Sequence, residues 1–395
     1  MEATIRTLAD PPGGIAGTPT PRVEFHRHSL GGAEKDAVSR ALDGLFLTTG
    51  EEVYAFEREF AGYLHVPDVV AVSSCTSAEH LALLAAGIVP GDEVITTPMT
   101  FIATITAILH AGATPVLVDV DPRTGNLDPN AVEAAITPRT RAIVPVHLYG
   151  TMADVRALRE IADAHELALI EDAAHCVEGL RSGVRPGQLG DAACFSFYAT
   201  KSLTCGEGGA VAVRDPELAA RIRRLRLHGM SADAESRYHG AYQHWDMLDL
   251  GWKANLSNIQ AAILRPQIAH LDDRRSRREV IARAYDAVVD ATPGLERPAI
   301  PPEVRPAYHL YTVWTEASRR DAILAYLGGH GIGCAVNYRA VHELTWIRAH
   351  VERRFSLPHA EAIGARTISL PIYDRLTDAE VASVTEVLVE AAGRA

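Results

Sequence analysis

One lysine follows an apolar, aromatic run and precedes a glycine-rich bend. Residues 192–200 are rich in alanine and aromatic side chains, Lys201 comes next, and residues 206–209 contain three glycines. The run is typical of a buried strand, so we expect the Lys201 amine to project into a closed site. Desolvation there favours the neutral amine, which is the nucleophile needed to form a Schiff base with an aldehyde.

A second strand-like run places an acidic side chain where it can serve the same site. Asp172 and His175 come just after the apolar residues 168–170. Each segment alone has an ordinary explanation, because lysines at strand ends often reach solvent and Asp172 could cap a helix. Together they favour pyridoxal 5'-phosphate (PLP), with the lysine holding the aldehyde and the aspartate keeping the pyridine nitrogen protonated. The pair therefore predicts a PLP enzyme.

Several motifs resemble, in their types and order, those of the DegT/StrS-type sugar aminotransferases. They cover residues 73–78, 98–104, 146–150, 171–175, 195–201, 207–210 and 251–262. The resemblance implies the α/β architecture of fold type I PLP-dependent aminotransferases. That fold has a large, mostly parallel seven-stranded α/β domain and a smaller α+β C-terminal domain.

The apolar pattern independently predicts a parallel sheet covered by helices. Short apolar runs alternate with segments of helical periodicity, as expected for right-handed crossovers between parallel strands. We predict strands at 69–72, 93–96, 114–118, 142–146, 168–171, 193–197 and 209–213, and two more in the C-terminal part around 308–315 and 334–338. We divide the 395 residues into a flexible leader (1–21), a large PLP-binding domain (22–265), and a linking helix with a small C-terminal domain (266–395).

The cofactor phosphate needs several donors. Thr76 and Ser77 precede a helical run, so their hydroxyls and amides can hold an anion at a helix N-terminus, although an ordinary helix cap explains them equally. Ser196, five residues before Lys201, is close enough to donate to the same phosphate. The resemblance implies a further ligand, Asn255 from the neighbouring subunit, and hence a homodimer with shared active sites.

The resemblance also assigns roles on the cofactor ring. Phe101 matches the position that stacks on the pyridine face, whereas composition alone favours a core phenylalanine. His175 matches a glutamine or histidine position that hydrogen-bonds the phenolic oxygen; an isolated histidine is more often a buried structural residue. Asp172 serves the ring nitrogen, and Lys201 moves protons as general acid and base.

The resemblance implies transamination of a nucleotide-linked keto-deoxysugar with L-glutamate as donor and 2-oxoglutarate as product, ping-pong through pyridoxamine phosphate. His175 favours a 4-keto-6-deoxyhexose as acceptor, while amination at C3 or of a cyclitol ketone such as an inosose stays open. His228, Tyr338 and His342 are candidate substrate contacts. The chain departs from the family's His-Tyr-x-Pro-x-His pattern at Asn337 and Ala340, which puts the pose of the sugar in doubt.

Other functions fit less well. A sugar dehydratase that resembles this family carries histidine in place of Lys201. A non-catalytic PLP-binding sensor would bind the cofactor without turnover, but no appended basic helix-turn-helix is evident. A nicotinamide dehydrogenase needs a Gly-x-Gly-x-x-Gly motif after the first strand, and none appears there. The histidine pairs His26/His28 and His239/His244 lack a supporting carboxylate or cysteine cluster, so no metal site is predicted.

Composition limits the partners and the compartment. The net charge of −12 argues against nucleic acid or an anionic membrane as partner. The longest apolar stretch, 101–118, is broken by His110, Gly112 and Pro115, which predicts a helix, a turn and a strand and not a membrane span. The five cysteines are dispersed without C-x-x-C spacing, as in reduced cytosolic proteins, and the N-terminus lacks the apolar segment of a secretory signal. We therefore expect a cytoplasmic enzyme.

Overall fold

The computed structural model describes residues 22–231 and 244–394. The predicted leader and His239 lie outside these described residues. Helices and strands alternate through the first part of the chain: α1 (Gly32–Asp43), α2 (Glu51–Leu64), β1 (Asp68–Val72), α3 (Cys75–Ala85), β2 (Glu93–Thr96), α4 (Ile102–His110), β3 (Thr114–Leu117), α5 (Pro129–Ala135), β4 (Thr140–Val144), α6 (Val155–Ala164), β5 (Ala168–Asp172), β6 (Leu180–Arg181), β7 (Ala192–Ser196), β8 (Gly209–Val213) and α7 (Pro216–Leu225).

Seven of these strands form one sheet in the order β1-β8-β7-β5-β4-β2-β3. Only β8 runs against its neighbours within this sheet, pairing antiparallel with β1 and β7. The predicted seven-stranded, mostly parallel sheet is confirmed, and each observed strand lies within two residues of its predicted bounds.

Both faces of the sheet are buried, because its strands are short runs of valine, isoleucine and alanine. Along β1, Val70 and Val72 face the helices α3 and α7, while Val69 and Ala71 face α2 and α8. This alternation is the period of a strand that packs against two layers. The helices packed on both faces therefore fix the positions of the strands. The loops at the ends of these strands carry the candidate residues.

The remaining elements lie after residue 257, and some of them form a second core. They are α8 (Asn258–Ile268), α9 (Leu271–Ala291), β9 (Val304–Arg305), β10 (Tyr311–Trp314), α10 (Ala317–Gly329), α11 (Thr345–His350), α12 (Pro358–Arg366), β11 (Thr367–Leu370) and α13 (Asp378–Arg394). The antiparallel pair β10 and β11 packs with α9, α10 and α13 around one apolar cluster. This agrees with a smaller α+β part of the fold. Pro266, the predicted boundary, lies inside α8, and the exact division at 265/266 stays a prediction.

Two local expectations have different outcomes. The expected strand at 334–338 is wrong, since that segment makes a bridge only between Ala335 and Ser369 before it turns to bring Tyr338 against His175. The apolar stretch 101–118 forms α4, a turn and β3, as predicted. Among the described residues, no helix has the length and apolar character needed to cross a membrane.

Candidate active site

The candidate residues meet at the carboxyl ends of parallel strands, where open α/β sheets bind their ligands. Asp172 is the last residue of β5, and Ser196 is the last residue of β7, the next strand in the sheet. Phe101 follows β2 and is the residue from which α4 starts. Lys201 lies in the turns between β7 and β8.

Asp172 is held by two hydrogen bonds that use both carboxylate oxygens. The hydroxyl of Thr104 donates to Oδ2 at 2.9 Å, and the amide of Ala174 donates to Oδ1 at 3.0 Å. Thr100 in turn donates to the Thr104 hydroxyl at 2.7 Å. The carboxylate is therefore oriented as well as buried, in the way that a partner for a cationic ring nitrogen requires.

Thr104 has a site role that sequence reasoning missed. A hydroxyl in the apolar helix α4, three residues after the candidate ring-stacking residue Phe101, was the available signal. A threonine buried on such a helix commonly bonds its own backbone, so the spacing alone did not reveal its partner.

Lys201 is partly buried, and its Nζ atom lies 3.3 Å from Nε2 of His309. Burial lowers the pKa of Lys201 from 10.5 to about 8, although the nearby Cys75 and Asp172 act in the opposite direction. A larger share of the amine is thus neutral near physiological pH than for a lysine in water, as a Schiff-base nucleophile needs.

Two histidines and a tyrosine lie beside this amine. The Tyr338 hydroxyl and His175 Nε2 are 3.0 Å apart, and the ring centroids of His175 and His309 are 4.7 Å apart. Burial and the Lys201 charge lower the pKa of both histidines well below 6.5, so both rings are neutral. His309 was also missed; a histidine among the mainly apolar residues 307–314 was the signal.

The Phe101 ring is exposed and does not lie in the core. Its side chain is 55% exposed, and its ring centroid lies 6.1 Å from that of Tyr338. The alternative of a core phenylalanine is therefore wrong. An exposed aromatic face beside a buried aspartate is a suitable stacking surface for a planar heterocycle.

The predicted phosphate donors converge on the start of α3. Ser74 caps this helix by accepting from the Ser77 amide at 3.1 Å, and the Ser77 hydroxyl lies 3.0 Å from that of Ser74. The capping residue is thus Ser74, and not Thr76 or Ser77. This cap does not exclude an anion, because the first amides of α3, including that of Thr76, precede any helical acceptor.

A glycine brings Ser196 to the same helix end. Gly209 pairs with Ser196 across β7 and β8, and a Cβ added to it would lie 2.4 Å from the carbonyl carbon of Ser74. Only glycine allows this approach of β8 to α3. The sheet therefore places Ser196 beside the residue of β8 that meets the start of α3.

Three predicted residues have other immediate neighbours in this chain. The Asn255 carboxamide donates to Thr49 at 2.8 Å, and the His228 amide donates to the Trp252 carbonyl at 2.9 Å. His342 Nε2 lies 3.2 Å from the Glu361 carboxylate. No contact recorded among the described residues joins these three side chains to Lys201, so their roles stay predictions.

The donor set fits PLP. The site combines an amine of lowered pKa, an oriented carboxylate, an exposed aromatic face and a helix N-terminus for an anion. His175 Nδ1 is buried and has no hydrogen-bond partner among the described residues, which leaves it available to a ligand. PLP presents an aldehyde, a ring nitrogen, a phenolic oxygen and a phosphate to match these groups.

Residues 28–389 match the sequence profile of the DegT/DnrJ/EryC1/StrS aminotransferase family. The chain belongs to this family. It is 41% identical over 369 residues to the spore coat polysaccharide biosynthesis protein SpsC of Bacillus subtilis (strain 168), covering 90% of this chain and 94% of that protein.

Solved structures of the DegT/DnrJ/EryC1/StrS family have the same fold. Streptomyces venezuelae DesV, solved in complex with a ketimine intermediate, gives a TM-score of 0.85 at 40% identity and covers 92% of this chain and 95% of its own. The sugar aminotransferase Spr1654 of Streptococcus pneumoniae, solved in its PLP form, gives 0.88 at 27% identity, with 94% and 99% covered. The predictions of a fold type I sugar aminotransferase and of PLP as its cofactor are confirmed.

Proposed function

We propose that this enzyme transfers the amino group of L-glutamate to a nucleotide-linked keto-deoxysugar, with a 4-keto-6-deoxyhexose as the favoured acceptor. The observation that carries the proposal is the convergence of Lys201, Asp172 and His175 at one sheet edge, beside Tyr338. The two substrates use the site in turn, by a ping-pong course with 2-oxoglutarate leaving before the sugar enters.

A cavity lined by residues that follow Tyr338 in the chain supports a nucleotide-linked acceptor. It measures about 620 Å³, and its lining includes Arg339, Arg348, Arg353 and His342 together with Glu343, Glu352 and Glu361. Arg339 and Arg353 are paired with glutamates in this state. The size of this pocket, and not a net positive charge, suits a nucleotide-linked sugar better than a small ketone.

Each residue has a distinct task in the reaction. When bound, PLP supplies an electron sink for negative charge at the substrate carbon. Lys201 takes the proton from that carbon and returns it, which its lowered pKa permits near neutral pH. Asp172 holds a proton at the ring nitrogen, and neutral His175 hydrogen-bonds the phenolic oxygen.

The remaining assignments concern binding. Thr76, Ser77 and Ser196 bind the phosphate, Phe101 covers one ring face, and Tyr338 lies against the sugar. His228 and His342 line the entrance for the acceptor. Amination at C3, or of a cyclitol ketone, would use the same machinery with a different acceptor pose.

We also propose a homodimer in which Asn255 completes the phosphate site of the partner. Mixing inactive Lys201→Ala and Asn255→Ala proteins tests this directly, since one site of each hybrid dimer has both native residues. Recovered activity supports the shared site, whereas a mixture that stays inactive after confirmed subunit exchange contradicts it. The free cysteines among the described residues support a reducing, cytoplasmic location.

The central experiment follows the first half-reaction spectroscopically. We expect L-glutamate to convert the PLP spectrum to that of pyridoxamine phosphate, and Lys201→Ala to abolish the change. Borohydride trapping then identifies the attachment point, because the chain has three lysines, at 35, 201 and 253. Lys35→Ala, on the surface of α1, is the matched control. Cofactor trapped on another lysine would contradict the assignment.

A panel of nucleotide-linked 3-keto and 4-keto sugars, together with an inosose, then identifies the acceptor. Faster conversion of the 4-keto-6-deoxy sugar supports the favoured substrate. Preference for the 3-keto sugar or the cyclitol ketone would replace it while leaving the first half-reaction intact.

A further inference from the structure

A buried glutamate that the mechanism does not use lies next to Asp172. Glu79 is on α3, four residues after Cys75, so both side chains are on the same face of the helix. Its residue is 2% exposed, and its carboxylate, the Asp172 carboxylate and the Cys75 sulfur all lie within 4.8 Å of one another. Two carboxyl groups therefore share one dry space at the end of β5.

The distribution of donors shows which carboxyl group is ionised. Asp172 accepts from Thr104 and Ala174, whereas no donor among the described residues reaches either oxygen of Glu79. Two carboxylates this close in a dry site cannot both carry charge. Burial, and then the charge of Asp172, raises the pKa of Glu79 well above its usual value of 4.5, so the proton resides on Glu79.

We propose that Glu79 is a neutral carboxylic acid that donates a hydrogen bond to Asp172, and that it is a positioning residue for the carboxylate facing the ring nitrogen. A protonated carboxyl group has one O–H donor, and the adjacent Asp172 is the acceptor that satisfies it. The bond stabilises Asp172 as an anion and restrains its rotation. The effect on catalysis rests on the proposed function, but the protonation of Glu79 does not.

The titratable groups that surround Glu79 on neighbouring elements are consistent with a proton on its carboxyl group. Burial raises the pKa of the thiols of Cys75, on α3, and Cys194, on β7, well above 9, so both are neutral. Thr104 on α4 is committed to Asp172, and the Lys201 amine comes from the turn after β7. The trio of Cys75, Glu79 and Asp172 is compact enough for a metal ion, but a neutral thiol is a poor ligand.

The expected effect concerns the proton on the cofactor ring. A hydrogen bond to the Asp172 anion makes it a weaker base, which leaves the shared proton on the ring nitrogen. Glu79→Leu removes the donor with similar volume, whereas Glu79→Gln keeps an N–H donor. We expect Glu79→Leu to slow the first half-reaction by about ten- to hundredfold, the effect of one hydrogen bond to a charged group, with little change in KM. Glu79→Gln should restore most of the rate.

Two measurements on the full-length protein test the proposal. Infrared difference spectra of wild type minus Glu79→Gln should show the carbonyl band of a protonated carboxylic acid, with or without PLP. Nitrogen NMR with ¹⁵N-labelled PLP should show a protonated ring in wild type and Glu79→Gln, and a shift toward neutral pyridine in Glu79→Leu.

The outcomes separate this inference from the proposed function. An ionised Glu79, or a stoichiometric metal bound by the trio, overturns the protonation. Equal ring signals and rates in Glu79→Leu and wild type overturn the positioning role, because a merely structural glutamate predicts no change in the ring nitrogen. If the acid band is present but glutamate is not turned over, the proposed function fails while the neutral Glu79 stands.

Discussion

The hydroxyl of Thr104 donates a 2.9 Å hydrogen bond to Asp172 across a sequence separation of 68 residues. The bond joins the first turn of α4 to the last residue of β5. Thr100 donates to the same hydroxyl, so the proton of Thr104 is directed at the carboxylate. The orientation of Asp172 thus depends on the uncharged hydroxyls of Thr104, in α4, and of Thr100, two residues before that helix.

Replacing Thr104 by valine removes this donor with almost no change in shape. A hydrogen bond to a charged group contributes about 1.5–3 kcal/mol, so we expect glutamate-dependent conversion of PLP to slow by about ten- to hundredfold. Stopped-flow absorbance measures the rate. Thr106→Val on the same helix is the control, since the Thr106 hydroxyl bonds only its own helix, at the Ala103 carbonyl. Equal effects of the two substitutions would indicate a general loss of helix packing.

The sequence predicted the strands and the strand-end residues because both depend on local pattern. The runs that end at Asp172 and Ser196 are apolar, and polar side chains after such runs fall at the ligand edge of the sheet. Thr104 and Glu79 escaped prediction because each lies on an amphipathic or apolar helix, and their partner comes from a distant strand. Contacts of that kind are determined by packing between elements and not by spacing along the chain.

His309 gives a second measurable effect at Lys201. Its Nε2 atom lies 3.3 Å from Nζ, and its lowered pKa keeps the ring neutral. His309→Leu removes this polar partner, and the loss of one neutral hydrogen bond, about 0.5–1.5 kcal/mol, should slow the first half-reaction by up to about tenfold. His309→Gln should recover part of the rate. His330→Leu, at an exposed position, controls for the loss of a histidine. Full activity of His309→Leu would remove this residue from the site.

His309 and Tyr338 also show why the second part of the fold was harder to predict. Tyr338 was expected on a strand. Instead, the segment turns away from the β10–β11 pair after Ala335 and brings the Tyr338 hydroxyl to His175, which follows β5 of the large sheet. The family resemblance identified Tyr338 as a candidate but did not indicate that it contacts His175. The contact between the two cores depends on how they dock, and no local pattern records it.

The lowered pKa of Lys201 should make stability depend on pH. A lysine whose folded pKa is about 8, below the 10.5 of a free side chain, binds fewer protons in the folded state between these values. Stability of the cofactor-free protein should therefore rise with pH across that window, and the penalty of the buried ammonium is fully present below pH 8. Thermal unfolding of wild type and Lys201→Met from pH 7 to 10 isolates the effect. We expect the Tm advantage of Lys201→Met to shrink as pH rises; a constant difference would contradict the shift.

The buried pair of Arg278 and Glu178 links α9 to the loop that carries the site. Their side chains are 2.7 Å apart and almost fully buried, and Ser202, next to Lys201, donates to the same glutamate at 3.2 Å. Arg278→Met leaves Glu178 as an unpaired buried charge, which should lower the free energy of unfolding by about 3–5 kcal/mol. Urea denaturation measures this loss.

A double variant separates the charge from the packing. Arg278→Met with Glu178→Leu replaces the pair by apolar groups, and we expect it to recover most of the lost stability because no uncompensated charge remains. Ser202 loses its acceptor in this variant, so the first half-reaction should stay slower than in wild type even when the fold is restored. Arg283→Ala, from an exposed pair with Glu279, should change stability by less than about 1 kcal/mol. A double variant as unstable as Arg278→Met would show that packing around α9, and not the buried charge, holds this link together.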